Sequence, residues 1–310
     1  MSKNCVLLTC NHAYLPYALF VAWQLENTVN KNFDIIIGSD DMKVQGDLPT
    51  YVKFLSIDDV AIWKSVKQSE RLKYFTYLRL PAIEKLSEQY DRILYLDTDV
   101  FIQSRRISSI MEIDISNYAV SAVRDVQQRE SLSKHVEDFK ANNLGAAPYF
   151  NAGVLLINSE LWRRDAIYKS MVKLAESTET ATRTDDQTLL NIALYKKWGE
   201  LSPTWNWIES PKTNLAGSYI DANIVHIAGK TKHWDSGSIR MSQRFRRDFQ
   251  IFTELNPKFK DMSPITPENS EVWKGFWRAL LLNLRWMKLS GRALNRFKNE
   301  HDILPTDSLN

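Results

Sequence analysis

The stretch Arg92-Ile93-Leu94-Tyr95-Leu96-Asp97-Thr98-Asp99-Val100 constrains the fold of this chain more than any other. Its first five residues run almost wholly apolar without alternation, the pattern of a strand buried on both faces. Two carboxylates follow at i and i+2. In extended backbone that spacing points both side chains to one side. Acids at the end of a buried strand need compensation, and a divalent cation with oxygen ligands supplies it. The competing reading is an ordinary polar exit into a turn, where Asp is common. An isolated Asp-x-Asp does not decide between them.

Other apolar runs place that stretch in an α/β chain. The patterns predict strands over 5–9, 33–37 and 51–57, with a helix over 14–28 between the first two. A helix over 69–86 follows, kinked or interrupted at Pro81, and then the strand at 92. Strand–helix–strand order implies parallel strands joined by crossovers, with ligands outside the strand carboxyl ends. Asn11 and the Asp97/Asp99 pair both fall at such ends. A strand over 118–123 and an exposed helix or loop over 127–143 come next. The strand over 150–158 carries Ala152-Gly153, which leaves room for close backbone approach. Helices over 159–177 and 185–197 and a late strand over 223–227 complete the pattern.

Bulk properties exclude several classes. With 310 residues, 44% hydrophobic and 25% charged, the chain has the composition of a globular protein with a full core. Its net charge of +3 supplies no global field for nucleic acid. Cys5 and Cys10 lie in and just after the first strand, a placement that fits free thiols in a reducing compartment. No secretory signal is present, and no apolar run is long enough to span a bilayer. A cytoplasmic location, or one peripheral on the cytoplasmic face of a membrane, is therefore expected.

Four motifs, in order, resemble those of glycosyltransferase family 8, the retaining group with the GT-A fold. They are Arg92-Ile-Leu-Tyr-Leu-Asp97-Thr-Asp99-Val, Tyr149-Phe-Asn151-Ala-Gly-Val-Leu-Leu-Ile-Asn158, Asp185-Asp186-Gln187-Thr-Leu-Leu-Asn191, and His226-x-x-Gly229-x-x-Lys232-x-Trp234. The first strand with Tyr14 is a weaker fifth match. The resemblance covers residues 4–235 and is nearest to bacterial lipooligosaccharide and lipopolysaccharide galactosyl- and glucosyltransferases.

That resemblance implies a Rossmann-like mixed sheet flanked by helices. It implies Mn²⁺ or Mg²⁺ held by Asp97, Asp99 and His226, acting as Lewis acid on the diphosphate of a UDP-sugar. Mixed oxygen and imidazole ligation suits Mn²⁺. Thr9, Asn11, Tyr14, Arg79, Thr98, Asn151, Asp186, Gln187, Gly229 and Lys232 would join those three in binding the donor. Asp125 would face the acceptor. Gln187 would stand behind the anomeric carbon, where an amide is a poor nucleophile, so front-side attack is favoured; Asp186 or Asp125 as nucleophile is the alternative. Three of these residues also have a plain structural role open to them. His226 suits a hydrogen-bonded core histidine, Lys232 a surface lysine, and Asp186 a helix cap that Asp185 could equally provide. His12, His135 and His301 read as structural. Asn11, Ala13 and His233 depart from the family pattern.

The C-terminal stretch differs from the rest. Lys274, Arg278, Arg285, Lys288, Arg292, Arg296 and Lys298 are basic, with no acid between Glu271 and Glu300. Trp273, Phe276, Trp277, Leu280, Leu281, Leu284 and Met287 recur at helical spacing. Such a helix lies on an anionic membrane or packs on the catalytic domain. The expected division is a GT-A catalytic domain over 1–240 and a basic aromatic extension over 241–310. The expected activity is transfer of galactose or glucose from a UDP-sugar to a lipopolysaccharide, lipid-linked or other surface glycan. The alternatives are a protein or polysaccharide acceptor, or a non-catalytic membrane- or nucleic-acid-binding module.

Overall fold

The computed structural model describes residues 3–66, 74–134, 136–177, 185–209, 220–228, 243–262 and 276–307. Eleven strands occur among them: β1 Asn4–Thr9, β2 Asp34–Ser39, β3 Val52–Ser56, β4 Arg92–Leu96, β5 Val100–Ile102, β6 Val120–Arg124, β7 Phe150–Asn158, β8 Gly199–Leu201, β9 Trp207–Ile208, β10 Ile224–His226 and β11 Ile303–Pro305. Eight form one sheet in the order β11-β8-β6-β7-β4-β1-β2-β3, and β5-β10-β9 form a second.

β3, β2, β1 and β4 are parallel, as the crossovers require. β7 runs antiparallel between β4 and β6, which makes the sheet mixed. All six residues of β1 are buried, because helices cover both faces. Val6 and Leu8 pack with the helix Leu15–Glu26 on one face, and Cys5 and Leu7 pack with Arg79–Ser87 on the other. Cys5 and Cys10 are buried free thiols.

Several predicted elements change form. Of the helix expected over 69–86, residues 69–73 lie outside the described residues. Tyr74–Leu78 is a 3-10 turn, and the α-helix begins at Arg79. Pro81 therefore sits in the first turn, where its missing N–H breaks no helical bond, and it opens the helix rather than kinking it. The helix expected over 159–177 is two, Ser159–Arg164 and Ile167–Glu176, broken where Ala166 takes φ 49°. The helix expected over 185–197 stops earlier, at Ala193. The region over 127–143 is a 3-10 turn, Val126–Arg129, followed by the short helix Val136–Lys140.

The described residues after 240 pack on this sheet and its helices. The helix Gln243–Leu255 lays Phe245, Phe249 and Phe252 against Phe20, with ring centroids 5.4, 5.0 and 5.5 Å apart. β11 adds the outermost strand beside β8. Trp205 Nε1 donates to the Glu300 carbonyl at 2.7 Å. The helix Phe276–Leu294 buries Asn283, Trp286 and Ser290, at i, i+3 and i+7, against the domain. It leaves Trp277, Leu281 and Leu284 exposed at i, i+4 and i+7. Trp273, Lys274 and Glu271 lie outside the described residues. Among those described, no helix is long and apolar enough to cross a membrane.

Candidate active site

β4 ends at Leu96, and the chain turns through Asp97-Thr98-Asp99 into β5, which leaves the main sheet for the small one. Thr98 and Asp99 lie in a turn, so the two acids do not share one extended strand, contrary to what their spacing alone implied. The turn and the second sheet bring them together instead. β5 pairs antiparallel with β10, with His226 opposite Val100, and the Ile227 N–H donates to the Asp99 carbonyl at 3.1 Å. That register sets His226 beside the acids. Its Nε2 lies 3.2 Å from Asp99 Oδ1 and 3.9 Å from Asp97 Oδ2. One ligand atom from each of Asp97, Asp99 and His226 falls within 4.8 Å of the others. Asp99 and His226 are buried, and the Asp97 side chain is a quarter exposed.

The two oxygens of Asp97 face different groups. Oδ1 accepts from the Tyr95 hydroxyl at 2.7 Å and lies 2.9 Å from Arg79 Nη2. Oδ2 is the oxygen on the His226 side. His226 Nδ1 lies 3.0 Å from Asn206 Oδ1. An amide oxygen only accepts, so Nδ1 carries the proton and the Nε2 lone pair is turned to the acids; metal-binding histidines are commonly oriented by such a bond on the other ring nitrogen. Asn206 is oriented in turn, because its Nδ2 donates to Asn151 Oδ1 at 2.8 Å. Asn151 Nδ2 donates to Gln187 Oε1 at 3.1 Å, and the Ala152 N–H donates to the same oxygen at 3.0 Å. A hydrogen-bonded line thus runs His226–Asn206–Asn151–Gln187. Asn206 belongs to no motif found in the sequence. Its one signal is a polar residue between two fully buried tryptophans, Trp205 and Trp207.

Gly153 lies under this cluster. A Cβ there would stand 2.2 Å from His226 Cε1, 2.7 Å from its Nδ1 and 3.0 Å from Asp97 Oδ2. Only a residue without a side chain leaves the acids and the imidazole their present places. The Asp97 N–H also donates to the Gly153 carbonyl at 2.8 Å, which ties the turn to β7.

Asp185 caps the helix Asp186–Ala193, accepting from the Thr188 N–H at 2.7 Å. Asp186 is therefore not needed as the cap and turns inward, where it is buried. Its Oδ2 lies 2.8 Å from Arg79 Nε but makes no hydrogen bond, because that N–H is directed at the Thr76 carbonyl at 3.0 Å. Burial pushes the Asp186 carboxyl up to about 7 against the pull of Arg79, with Asp185 and Asp97 adding to the rise. Burial opposes the Arg79 charge, but Asp186 and Asp97 outweigh it and hold its pKa above the ordinary value. Arg79 also donates to the Ala152 carbonyl at 2.7 Å and stacks on Tyr95 at 4.5 Å. Its guanidinium is directed at protein groups and binds the ends of β4 and β7 together.

The remaining predicted residues line the same sheet edge. Thr9 Oγ1 lies 3.4 Å from the Tyr95 hydroxyl, which links the end of β1 to Asp97. Asn11 Oδ1 accepts from the Tyr14 N–H at 3.1 Å, and the Tyr14 ring packs on Phe75 at 5.6 Å. Thr98 sits at the turn between the two acids. Asp125 follows β6; its N–H donates to the Tyr149 carbonyl at 2.8 Å, and its Oδ1 accepts from the Gln127 N–H at 2.9 Å. Gly229, Lys232, His233, Trp234 and His135 lie outside the described residues. His12 is exposed and near Asp47, and His301 packs on Trp205.

Comparison with known proteins gives the family and the fold. A family model described as glycosyl transferase family 8 matches residues 5–237. Glycosyltransferase GlyF of Streptococcus pneumoniae is 28% identical over 285 residues, covering 88% of this chain and 65% of that protein. General stress protein A of Bacillus subtilis is 29% identical, covering 60% of this chain and 68% of its own length. A lipopolysaccharide 1,3-galactosyltransferase of Salmonella typhimurium is 31% identical over 190 residues, 59% of this chain and 56% of that protein. The chain thus spans from just over half to about two thirds of these relatives' lengths. Among solved structures, galactosyltransferase LgtC in complex with donor and acceptor sugar analogs superposes with a TM-score of 0.68 at 19% identity, over 84% of this chain and 100% of that one. That likeness is one of fold, and the fold is GT-A.

Proposed function

Because the chain belongs to glycosyl transferase family 8, we propose that it moves a hexose, galactose or glucose, from a UDP-sugar to a hydroxyl of a lipopolysaccharide or other surface glycan, with retention of configuration. The observation that carries this reading is the convergence of Asp97, Asp99 and His226 over Gly153 at the carboxyl edge of the sheet. The donor set fits a divalent ion. Two carboxylates and an imidazole with its Nδ1 proton engaged meet where a Cβ would fill the space. Mixed oxygen and nitrogen ligation favours Mn²⁺ over Mg²⁺. Such an ion would supply Lewis-acid neutralisation of the diphosphate leaving group.

The chain's own residues prepare that chemistry. Arg79 and Tyr95 engage Asp97 Oδ1 and keep Oδ2 turned to the site. The Asn206–Asn151–Gln187 line holds the imidazole and the sugar-facing amides in one orientation. By family resemblance Lys232 adds charge for the diphosphate, Gly229 lets backbone approach it, and Asn11 with Tyr14 faces the base. Gln187 Oε1 already accepts from two N–H donors. It has no lone pair left for a bond to the anomeric carbon, which supports front-side attack, with Gln187 positioning and Asp125 toward the acceptor.

The exposed stripe Trp277, Leu281 and Leu284, flanked by exposed Arg285 and Lys288, supports docking on an anionic membrane that presents a lipid-linked acceptor. A protein or polysaccharide acceptor is the second reading. Calorimetric titration with UDP, with and without Mn²⁺, tests the donor assignment, and mass spectrometry of products from a nucleotide-sugar panel tests the sugar. Asp97→Asn and Asp99→Asn should each lower turnover by about 10² or more if the ion is lost as Lewis acid. Near-normal turnover in both overturns the metal assignment.

A further inference from the structure

Between the helix Phe276–Leu294 and the end of β6 lies a cavity of about 200 Å³ whose walls include Arg124, Arg129, Glu200, Arg292 and Arg296. Its lining holds four arginines and one carboxylate. Glu200 is almost fully buried and is already saturated: Arg124 Nη2 reaches it at 2.5 Å, and Arg296 binds it through Nη1 at 2.6 Å and Nη2 at 2.9 Å.

Among the described residues Arg129 forms no such ion pair. Its Nη1 donates to Ser290 Oγ at 3.3 Å, and its plane lies over the Trp207 ring at 4.7 Å. Its Nη2 is shut off from solvent with no hydrogen-bond acceptor among the described residues, and Arg124 Nε is in the same condition. Burial pushes the Arg129 pKa down to about 10, with Asp125 and Glu200 opposing the fall, so the group is cationic at neutral pH. Arg292 stands exposed at the rim and enters no ion pair among the described residues. Asp125 and Glu200 offset the cost of burying this charge only in part, and unused guanidinium N–H groups are the donors that bind phosphate in a fork.

We propose that this cavity is a phosphate-binding subsite. Its volume is below the roughly 300–1,000 Å³ of pockets that enclose drug-sized ligands, so it suits one phosphoryl group rather than a nucleotide-sugar. Its position gives it a use. Arg124 is bonded in sequence to Asp125 at the sheet edge, and Arg129 stacks on Trp207, the neighbour of the Asn206 that orients His226. A phosphate carried by the acceptor would be anchored here with the rest of the acceptor directed at the transfer site; this role rests on the transferase reading above. The same chemistry fits the phosphate of a lipid headgroup reached along the C-terminal helix.

The test uses the full chain without metal. Inorganic phosphate and a hexose 6-phosphate are titrated by calorimetry against sodium chloride at matched ionic strength. Binding should saturate and should weaken about 10- to 100-fold in Arg129→Gln, the loss expected for hydrogen bonds to a charged group. Arg292→Gln, at the exposed rim, keeps the test valid if Arg129→Gln does not fold, and it should also weaken binding. Sedimentation with phosphatidylglycerol vesicles, against phosphatidylcholine vesicles, separates the sources. Phosphate-competable vesicle binding lost in the variants assigns the site to a headgroup; soluble phosphate binding alone assigns it to the acceptor. Equal effects of phosphate and chloride, or unchanged phosphate affinity in both variants, overturn the subsite. Failure of UDP to bind with Mn²⁺, while phosphate binding persists, overturns the transferase reading and leaves the subsite standing.

Discussion

Gly153→Ala is the sharpest perturbation that the structure offers, because it adds one methyl group and removes no functional atom. The new Cβ would sit 2.2 Å from His226 Cε1 and 2.7 Å from His226 Nδ1. That is over about 1 Å short of an ordinary carbon–carbon contact, so the imidazole must move by about that amount. It cannot retreat without cost. Nδ1 is bonded to Asn206, whose amide is bonded to Asn151, which also accepts from the Gly153 N–H. Asp97 Oδ2, 3.0 Å from the new atom, is held on its other side by Arg79 and Tyr95 through Oδ1. Overpacking of a tight site costs about 1–3 kcal/mol, which should lower Tm by several degrees but leave the chain folded. If His226 holds the ion, displacing it is expected to weaken Mn²⁺ binding by at least the roughly 10- to 100-fold lost when a residue that orients a metal-bound histidine is changed. Calorimetric titration of Mn²⁺ in the presence of UDP reads this directly, and turnover should fall in parallel. A folded Gly153→Ala protein with unchanged Mn²⁺ affinity would refute the reasoning, because it would mean that His226 and Asp97 do not share an ion across that glycine.

Three further outcomes follow from named contacts. Asn206→Ala frees the His226 ring, and Mn²⁺ binding should weaken about 10- to 100-fold; Asn206→Asp, which keeps an acceptor, should lose less, and equal losses would count against an orienting role. Asp186 has a native pKa raised to about 7 by burial, so the folded state holds its proton more tightly than the unfolded chain does. Its ionisation therefore costs stability as pH rises from about 4 to about 7, and Asp186→Asn should flatten the metal-free Tm-against-pH curve in that window; an unchanged slope would argue that Arg79 keeps Asp186 ionised throughout. Gly291 lies inside the helix Phe276–Leu294 with open space around it. Gly291→Ala should raise stability by about 0.5–1 kcal/mol in denaturant unfolding, and a loss would show a contact there.

The apolar runs that became β1, β4 and β7 were legible because strands buried on both faces require continuous hydrophobicity whatever surrounds them. The parallel order followed from the helices between them. The family motifs pointed to Asp97, Asp99 and His226 by type. Geometry was another matter. Asp-x-Asp was read as extended, yet the acids meet in a turn, because the chain changes sheets at Asp97 and only the pairing of β5 with β10 carries His226 to them. Strands of two or three residues such as β5, β9 and β11 show no period, so nothing local marks them. Asn206 lies 20 residues before His226, and no pattern in the chain links them until the small sheet forms. The C-terminal helix illustrates the division best. Its basic and apolar spacing announced an amphipathic helix, but that spacing is satisfied equally by a membrane and by a domain. Only tertiary packing decided that Asn283, Trp286 and Ser290 face inward, that Trp277, Leu281 and Leu284 stay exposed, and that Arg292 and Arg296 join Arg124, Arg129 and Glu200 around one cavity. A one-dimensional pattern determines which face of an element is apolar; which partner meets that face depends on contacts between residues far apart in sequence.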